Sequence, residues 1–334
     1  MNTESAQVAA KPCVESAPAL VKPCLINERW DSFLVTKGSV VWILILTVWL
    51  FMRGDKELDM MDLVLSEFHL GATYDAIMRR KLYKTLPWDI IFIPALIIAL
   101  TYIFYESNKE ILVVTFLAYA AIWHRGRQDY GVAMFYQKGA GGPISKLHEV
   151  LFKGATYLPM IAAVFFYTSF HPEEYEGSPY HSLPISNEVA IAFGVLSLIW
   201  VSVYFSYILA QPRVYREEFW VMLSHVLAFA SAYVFGVWSA GFILVLAIHH
   251  EVQYMYFAYA TARRRNKTPG TKAWHESKFF LIFLIWPIIG FTLALMQKKA
   301  DLDWLWPLWV AVLICHYWLD SRIWTRRAFQ KSLD

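Results

Sequence analysis

The stretch WDIIFIPALIIALTYIFY, Trp88–Tyr105, carries one charged side chain, Asp89, at its start and is otherwise apolar or aromatic. A hydrocarbon core ~30 Å thick is crossed by about 20 such residues in an α-helix. The helix is dictated, because lipid offers no partner for a backbone N–H or C=O and only a helix satisfies them all within one segment. A second run of the same kind covers Ser277–Met296, and a water-soluble domain of this size does not carry repeated runs of that length. The chain therefore reads as an all-α, polytopic helical membrane protein.

Composition agrees: of 334 residues, 57% are hydrophobic and only 17% charged, and the 15 tryptophans and 19 tyrosines often stand near segment ends, as interfacial aromatic belts do. The formal charge of +3 is small and spread over loops, so nucleic acid is not indicated as a partner. Cys13, Cys24 and Cys315 form neither a metal-type cluster nor a disulfide framework. Two of them lie in a Lys-Pro-Cys repeat within a leader dominated by Ala, Pro, Ser and Lys. That composition predicts a disordered N-terminal tail over residues 1–35, a single transmembrane domain over 36–326 and a short C-terminal tail over 327–334. The leader lacks the basic-then-apolar design of a cleavable signal, so it is expected to be retained.

Nine spans can be drawn, at residues 36–53, 88–106, 111–137, 148–170, 187–210, 217–237, 240–262, 277–296 and 304–324, which sets the expected count at about eight or nine. The connections RRKLYK, KGAGGPISK, QPRVYR and ARRRNKTPGTKAWHESK and the tail SRIWTRRAFQK are basic, and between them lie HPEEYEGSPYHS, WSAG and QKKADLD. Basic loops face the cytoplasm, so the alternation predicts a cytoplasmic C-terminus. Segment 54–78 is too polar for an ordinary span and reads as an interfacial or re-entrant helix packed against protein, which leaves the side of the N-terminus open.

With this orientation and a rise of ~1.5 Å per residue, His124, His225, His249 and His316 all fall roughly 15–20 Å below the outer ends of their spans. Three have polar neighbours about one turn on: His124 has Gln128 and Asp129 (WHRGRQDYG), His249 has Gln253 (HHEVQY) and His316 has Asp320 (HYWLD). A spacing of four puts both side chains on one helix face. A lone intramembrane histidine is commonly a packing residue. Four at one depth point instead to a shared metal or cofactor site, with a polar transport pathway as the competing reading. Neutral imidazole suits iron, copper and zinc, and carboxylates complete non-haem iron sites that keep positions open for oxygen. The metal ligands expected are His124, His225, His249, His250 and His316, with Asp129, Gln128, Gln253 and Asp320 as catalytic or orienting partners. His249 and His250 point about 100° apart on a helix, so one is expected to serve the metal and the other a neighbour.

The order of these motifs resembles the Brp/Blh-type bacterial membrane proteins, carotenoid-cleaving β-carotene dioxygenases associated with retinal supply to rhodopsins. FHLGATYDA (His69, Gly71, Asp75) is similar to that family's early histidine-glycine-aspartate motif, and WHRGRQDYG to its second. KLHEVLFKGATYLPM places His148 where the family has a histidine before an apolar helix. HHEVQY resembles its later histidine pair, with Gln253 in place of the second histidine, and HYWLDSRIW its final motif. The resemblance spans residues 69–324 as ordered short motifs. It implies a histidine-ligated non-haem iron, a carotenoid-like substrate and a bacterial inner membrane, and it adds His69 and His148 to the metal candidates. The topology by itself places those two near membrane surfaces as solvated or interfacial residues.

The function expected is a membrane-embedded oxygenase or related oxidoreductase acting on a hydrophobic substrate from the lipid bilayer, with molecular oxygen and an electron donor as further partners. Tyr254, Tyr256, Phe257, Tyr259, Trp318 and Trp324 are candidates for lining a lipid-like tunnel. Two other classes stay open: an electron-transfer protein with haem between His225 and His249, and a proton-coupled transporter using a buried His/Asp relay. His171, His181 and His275 read as ordinary loop residues, and Glu149, Glu217 and Glu218 as helix-start carboxylates that meet the helix dipole.

Overall fold

A computed structural model describes Leu25, residues 28–139, 144–170, 174–175, 178–211, 216–266 and 305–323, and isolated positions 285, 288, 289 and 292. The described residues are helical apart from connections. The helices are α1 (Glu28–Leu34), α2 (Lys37–Arg53), α3 (Lys56–Arg80), the short α4 (Leu82–Thr85), α5 (Ile93–Glu106), α6 (Glu110–Gly139), α7 (Lys146–Phe170), α8 (Asn187–Leu209), α9 (Arg216–Tyr233), α10 (Ile243–Asn266) and α11 (Leu305–Ile323). A π-helical turn, Trp88–Phe92, leads into α5, and two-residue strands β1 (Glu174–Tyr175) and β2 (Ser178–Pro179) pair antiparallel between α7 and α8. All but four positions of the expected span at 277–296 lie outside the described residues.

Five helical stretches are long and apolar enough to cross a membrane: Glu28–Arg53, Trp88–Glu106, Lys146–Phe170, Asn187–Leu209 and Arg216–Val237. Those that form α5 and α8 lie largely to the outside, whereas α9 is packed among α2, α6, α7, α8 and α10. Ile191, Leu198 and Val203 of α8 and Ile91, Leu96 and Ile103 around α5 are exposed, as lipid-facing side chains are. The inner helices are α3, α6, α10 and α11, with α3 against α10 and α11, and α6 against α9, α10 and α11. Their polar residues face one another, which lowers their hydropathy below that of a span against lipid, while α9, though packed inside, stays apolar enough to stand out.

Segment 54–78 is a helix packed against protein, as expected of it. Residues 56–80 form one continuous helix of 25 residues, about 37 Å long at ~1.5 Å per residue. Its polarity is accommodated because Glu67, His69, Thr73 and Asp75 are buried against other polar helices instead of lipid. By contrast, the end of the expected N-terminal tail is folded: α1 docks through buried Asp31, which accepts hydrogen bonds from Tyr136 Oη (2.8 Å), Tyr256 Oη (2.6 Å) and the Leu25 backbone N–H (2.5 Å). That carboxylate ties α1 to the ends of α6 and α10.

Two apolar clusters hold the bundle together, one built on Ile43, Ile122, Met160, Phe229 and Leu246, the other on Tyr136, Phe152, Tyr204 and Met222. Helices α7 and α8 approach closely at Gly154, where a Cβ would run into the Trp200 indole. The indole Nε1–H is held there by a 3.0 Å bond to the Leu151 carbonyl. Gly154→Val must displace that ring, and overpacking of this kind costs about 1–3 kcal/mol. The expected result is a lower unfolding midpoint in detergent with an unaltered helical signal; an unchanged midpoint would contradict this packing.

Candidate metal centre

His69 on α3, His124 on α6, His250 on α10 and His316 on α11 converge in the middle of the bundle, each offering a ring nitrogen, and these four atoms all lie within 4.8 Å of one another. The imidazoles close a square. Ring centroids stand 4.4 Å apart for His69 and His316, 4.9 Å for His316 and His124, 4.8 Å for His124 and His250, and 4.7 Å for His250 and His69. All four side chains are buried. His69 Nδ1, His124 Nε2 and His250 Nδ1 have no hydrogen-bond partner among the described residues. A buried polar atom left unmet costs about 1–3 kcal/mol. Four buried imidazoles whose ring nitrogens converge are what a borderline divalent metal takes up.

One helical turn beyond the square sits a second layer. Thr73 Oγ1 donates to Asp320 Oδ1 (2.8 Å), and Tyr254 Oη donates to the same oxygen (2.7 Å). Having given its one proton to Asp320, Thr73 accepts from His316 Nδ1–H at 2.9 Å. This fixes the His316 tautomer: Nδ1 carries the proton and Nε2 presents a lone pair to the centre. His69 Nε2 faces that lone pair at 2.6 Å, a contact that is favourable only with a proton or a cation between the two. Asp320 Oδ2 stands 3.8 Å from His124 Nε2 and 3.7 Å from His316 Nε2, so a negative charge lies beside the square and can balance a bound cation.

The remaining expected residues go elsewhere, for angular reasons. Asp129 is five residues from His124 and so about 140° around α6, whereas Gln128 is about 40° away. Asp129 accordingly leaves the His124 side and meets His225 Nδ1 (2.8 Å) and His249 Nε2 (3.5 Å). The pair His249–His250 divides as its angle requires, but it is His250 that enters the four-histidine square and His249 that turns to Asp129. Gln128 and Gln253 do not orient the imidazoles: Gln128 Nε2 donates to the His250 carbonyl (2.7 Å) and to Gln253 Oε1 (3.3 Å). His225 and His249, the pair considered for haem, flank this one carboxylate.

His148 forms a third group, away from the square. Its Nε2–H donates to Glu218 Oε1 (2.8 Å), which also accepts from Tyr204 Oη (2.7 Å) and Gln137 Nε2 (3.2 Å). Both His69 and His148 are buried, so neither is the solvated residue that topology alone allows. Glu218 is fully buried too, and thus does more than meet a helix dipole. His181 is exposed in the connection before α8, as a loop residue should be.

An apolar cavity of ≈ 1560 Å³ runs along one face of α6 between α5 and α11 and reaches the centre at His124, Gln128, Tyr254 and Asp320. Ile97, Phe104, Phe116, Phe257, Tyr317 and Trp318 are among its walls. Of the aromatic residues expected to line a tunnel, Tyr254, Phe257 and Trp318 do so; Tyr256 is spent on Asp31, Tyr259 is partly exposed, and Trp324 lies outside the described residues. Arg127 sits on the cavity wall, its guanidinium bonded to Tyr157 Oη and lying over the Tyr130 ring.

Thr73 and Tyr254 were reachable by the rule that selected Asp320. Thr73 follows His69 by four residues and Tyr254 follows His250 by four, so every histidine of the square has a polar side chain one turn on. Removing such a partner costs about 10–100-fold in metal affinity. Thr73→Val should weaken divalent-metal binding by about that factor in a competition titration while the fold persists; unchanged affinity would detach Thr73 from the centre. Compared with protein-family models, curated proteins and solved structures, the chain matches none.

Proposed function

We propose that the chain is an integral membrane metalloenzyme, an oxygenase or related oxidoreductase dependent on non-haem iron and acting on a hydrophobic, lipid- or carotenoid-like molecule that enters from the bilayer. The observation that carries this reading is the square of His69, His124, His250 and His316 at the end of a large apolar cavity. Iron held by imidazoles with positions left open supplies oxygen activation. The chain does the rest. Thr73 and Asp320 hold the lone pair of His316 toward the centre, and Asp320 offers the compensating charge. Apolar walls such as Ile97, Phe116 and Phe257 select an apolar substrate and keep water from the reacting atoms. The ordered motifs shared with the Brp/Blh-type dioxygenases support the same reading, and an electron donor and molecular oxygen are the partners it requires.

The topology proposed with it treats α3 as a crossing. Together with α2, α5, α6, α7, α8, α9, α10 and α11, and with the expected span at 277–296 that lies outside the described residues, this makes ten crossings, one more than the expected eight or nine. The basic connections then alternate regularly along the whole chain, placing both termini in the cytoplasm of a bacterial inner membrane. In that topology α3, α6, α10 and α11 all run inward from the outer face, and parallel helices bring residues of similar offset to one level.

Purified from iron-supplemented cells, the wild-type protein should carry bound iron, show no Soret band and consume oxygen when supplied with a carotenoid-like substrate in detergent. The double variant His250→Ala/His316→Ala should lose one equivalent of metal per chain and all oxygen uptake. A Soret band with haem-level iron would replace this reading with an electron-transfer protein. Full metal retention in the double variant would remove the four-histidine centre, and pH-dependent substrate flux into liposomes without bound metal would favour a proton-coupled transporter.

A further inference from the structure

The wall that α6 gives to the cavity follows one stripe. Leu112, Phe116, Trp123, Arg127, Gly131 and Lys138 recur at intervals of four and seven residues, so they share a face of the helix, and all of them line the cavity. The stripe changes character at the level of His124. Toward the start of α6 the described walls carry no charge: Leu112 and Phe116 face Ile97, Leu100 and Phe104 of α5. Toward its end the same stripe carries two cations, Arg127 and Lys138. At ~1.5 Å of rise per residue they stand about 5 Å and about 21 Å beyond His124 along the helix. The one carboxylate among the described lining residues is Asp320, at the centre, which already accepts from Thr73 and Tyr254.

Arg127 is far from both ends of α6, about 26 Å from its start and about 18 Å from its end. A cation at that depth is costly and marks a functional position. Its guanidinium is held in place: an Nη1–H donates to Tyr157 Oη of α7, and the group lies over the Tyr130 ring at 5.0 Å. A hydroxyl and an aromatic face orient the charge without neutralising it. Among the described residues no carboxylate pairs with Arg127 or Lys138, and Glu149 of α7 is taken by Lys153 at 2.5 Å. One turn beyond Arg127 on the same stripe, a Cβ at Gly131 would meet nothing within 4 Å, so open volume adjoins the cation. A planar guanidinium with donors to spare, beside open space in an apolar cavity, matches a carboxylate or a phosphate.

We propose that the cavity takes a lipid with an acidic head group, whose anion pairs with Arg127 and whose apolar chain runs along Phe116, Ile97 and Phe104. Charge complementarity selects such a molecule over a neutral one of the same length. The single turn between His124 and Arg127 sets the part of the chain next to the head group at the level of the imidazoles. Lys138, about 16 Å farther along the stripe, takes no part in holding the head group. The inference rests on the proposed function for what happens at the centre and adds the class of substrate; the head-group site itself is a matter of binding and needs no metal.

The test titrates nitroxide-labelled stearic acid and its methyl ester into the full-length, metal-stripped protein in a neutral detergent, at a pH where the acid is ionised. Bound lipid is read from the immobilised part of the electron paramagnetic resonance spectrum. Wild type should bind the acid about 10–100-fold more tightly than the ester, as a hydrogen-bonded charge pair provides. Arg127→Gln should bring that preference close to unity while ester affinity and metal-binding capacity stay unchanged. Arg127→Lys should leave an intermediate preference, and Lys138→Gln should keep the full one. Equal binding of acid and ester by wild type would overturn the proposal, even if no variant folds. Loss of the preference in Lys138→Gln but not in Arg127→Gln would overturn it too. A wild-type protein that prefers the acid yet binds no metal would sink the enzyme reading and leave this site standing; one that binds metal without any preference for the acid would do the reverse.

Discussion

Asp320 is a carboxylate buried at the centre of the bundle, and three helices meet where its hydrogen bonds are satisfied. Breaking up a buried charged network by removing one partner typically costs about 3–5 kcal/mol. The bundle avoids that cost by bringing Thr73 of α3 and Tyr254 of α10 to one oxygen of Asp320 on α11. The same three residues stand one turn beyond His69, His250 and His316, so meeting the carboxylate's needs also brings three imidazoles together. The fourth, His124, arrives on α6, and Asp320 Oδ2 lies near it. Fold and centre thus share one constraint: polar groups inside an apolar bundle must find each other.

A comparable constraint acts at two further places. Asp31 gathers two tyrosine hydroxyls and a backbone N–H, binding the N-terminal helix to α6 and α10. Glu218 gathers His148, Gln137 and Tyr204, joining α6, α7, α8 and α9. Each of these carboxylates is met by donors from several helices, so each specifies a helix arrangement that apolar packing alone leaves degenerate. The cavity runs between the polar centre and helix α5, whose outer face is apolar and exposed.

Much of this was legible in the chain. The apolar runs that define α2, α5, α7, α8 and α9 announce themselves by length and hydropathy. The mid-span histidines stand out because polar groups there are costly. What escaped the reading was angular and three-dimensional. Asp129 seemed to belong with His124 because it is close in sequence, yet five residues on a helix carry it to the opposite flank. His250, not His249, entered the square for the same reason. The polarity of α3 signals a helix packed against protein, and its partners α10 and α11 are what hydropathy alone does not name. Hydroxyl side chains are inexpensive inside helices, so neither Thr73 nor the hydroxyl of Tyr254, a residue expected only to line a tunnel, stands out as a partner of Asp320, although their spacing from His69 and His250 is the one that singles out Asp320.

The central claim is that four imidazoles from α3, α6, α10 and α11 hold one metal ion in the middle of the membrane-spanning bundle. A cryo-electron microscopy map of the iron-loaded protein, recorded beside a metal-stripped control, tests it without recourse to a substrate. The account predicts one compact density in the loaded map alone, within bonding distance of His69, His124, His250 and His316, with His316 still bonded to Thr73 through Nδ1. Density absent from that position in the loaded protein, with the four rings bonded to one another or to water, would contradict it.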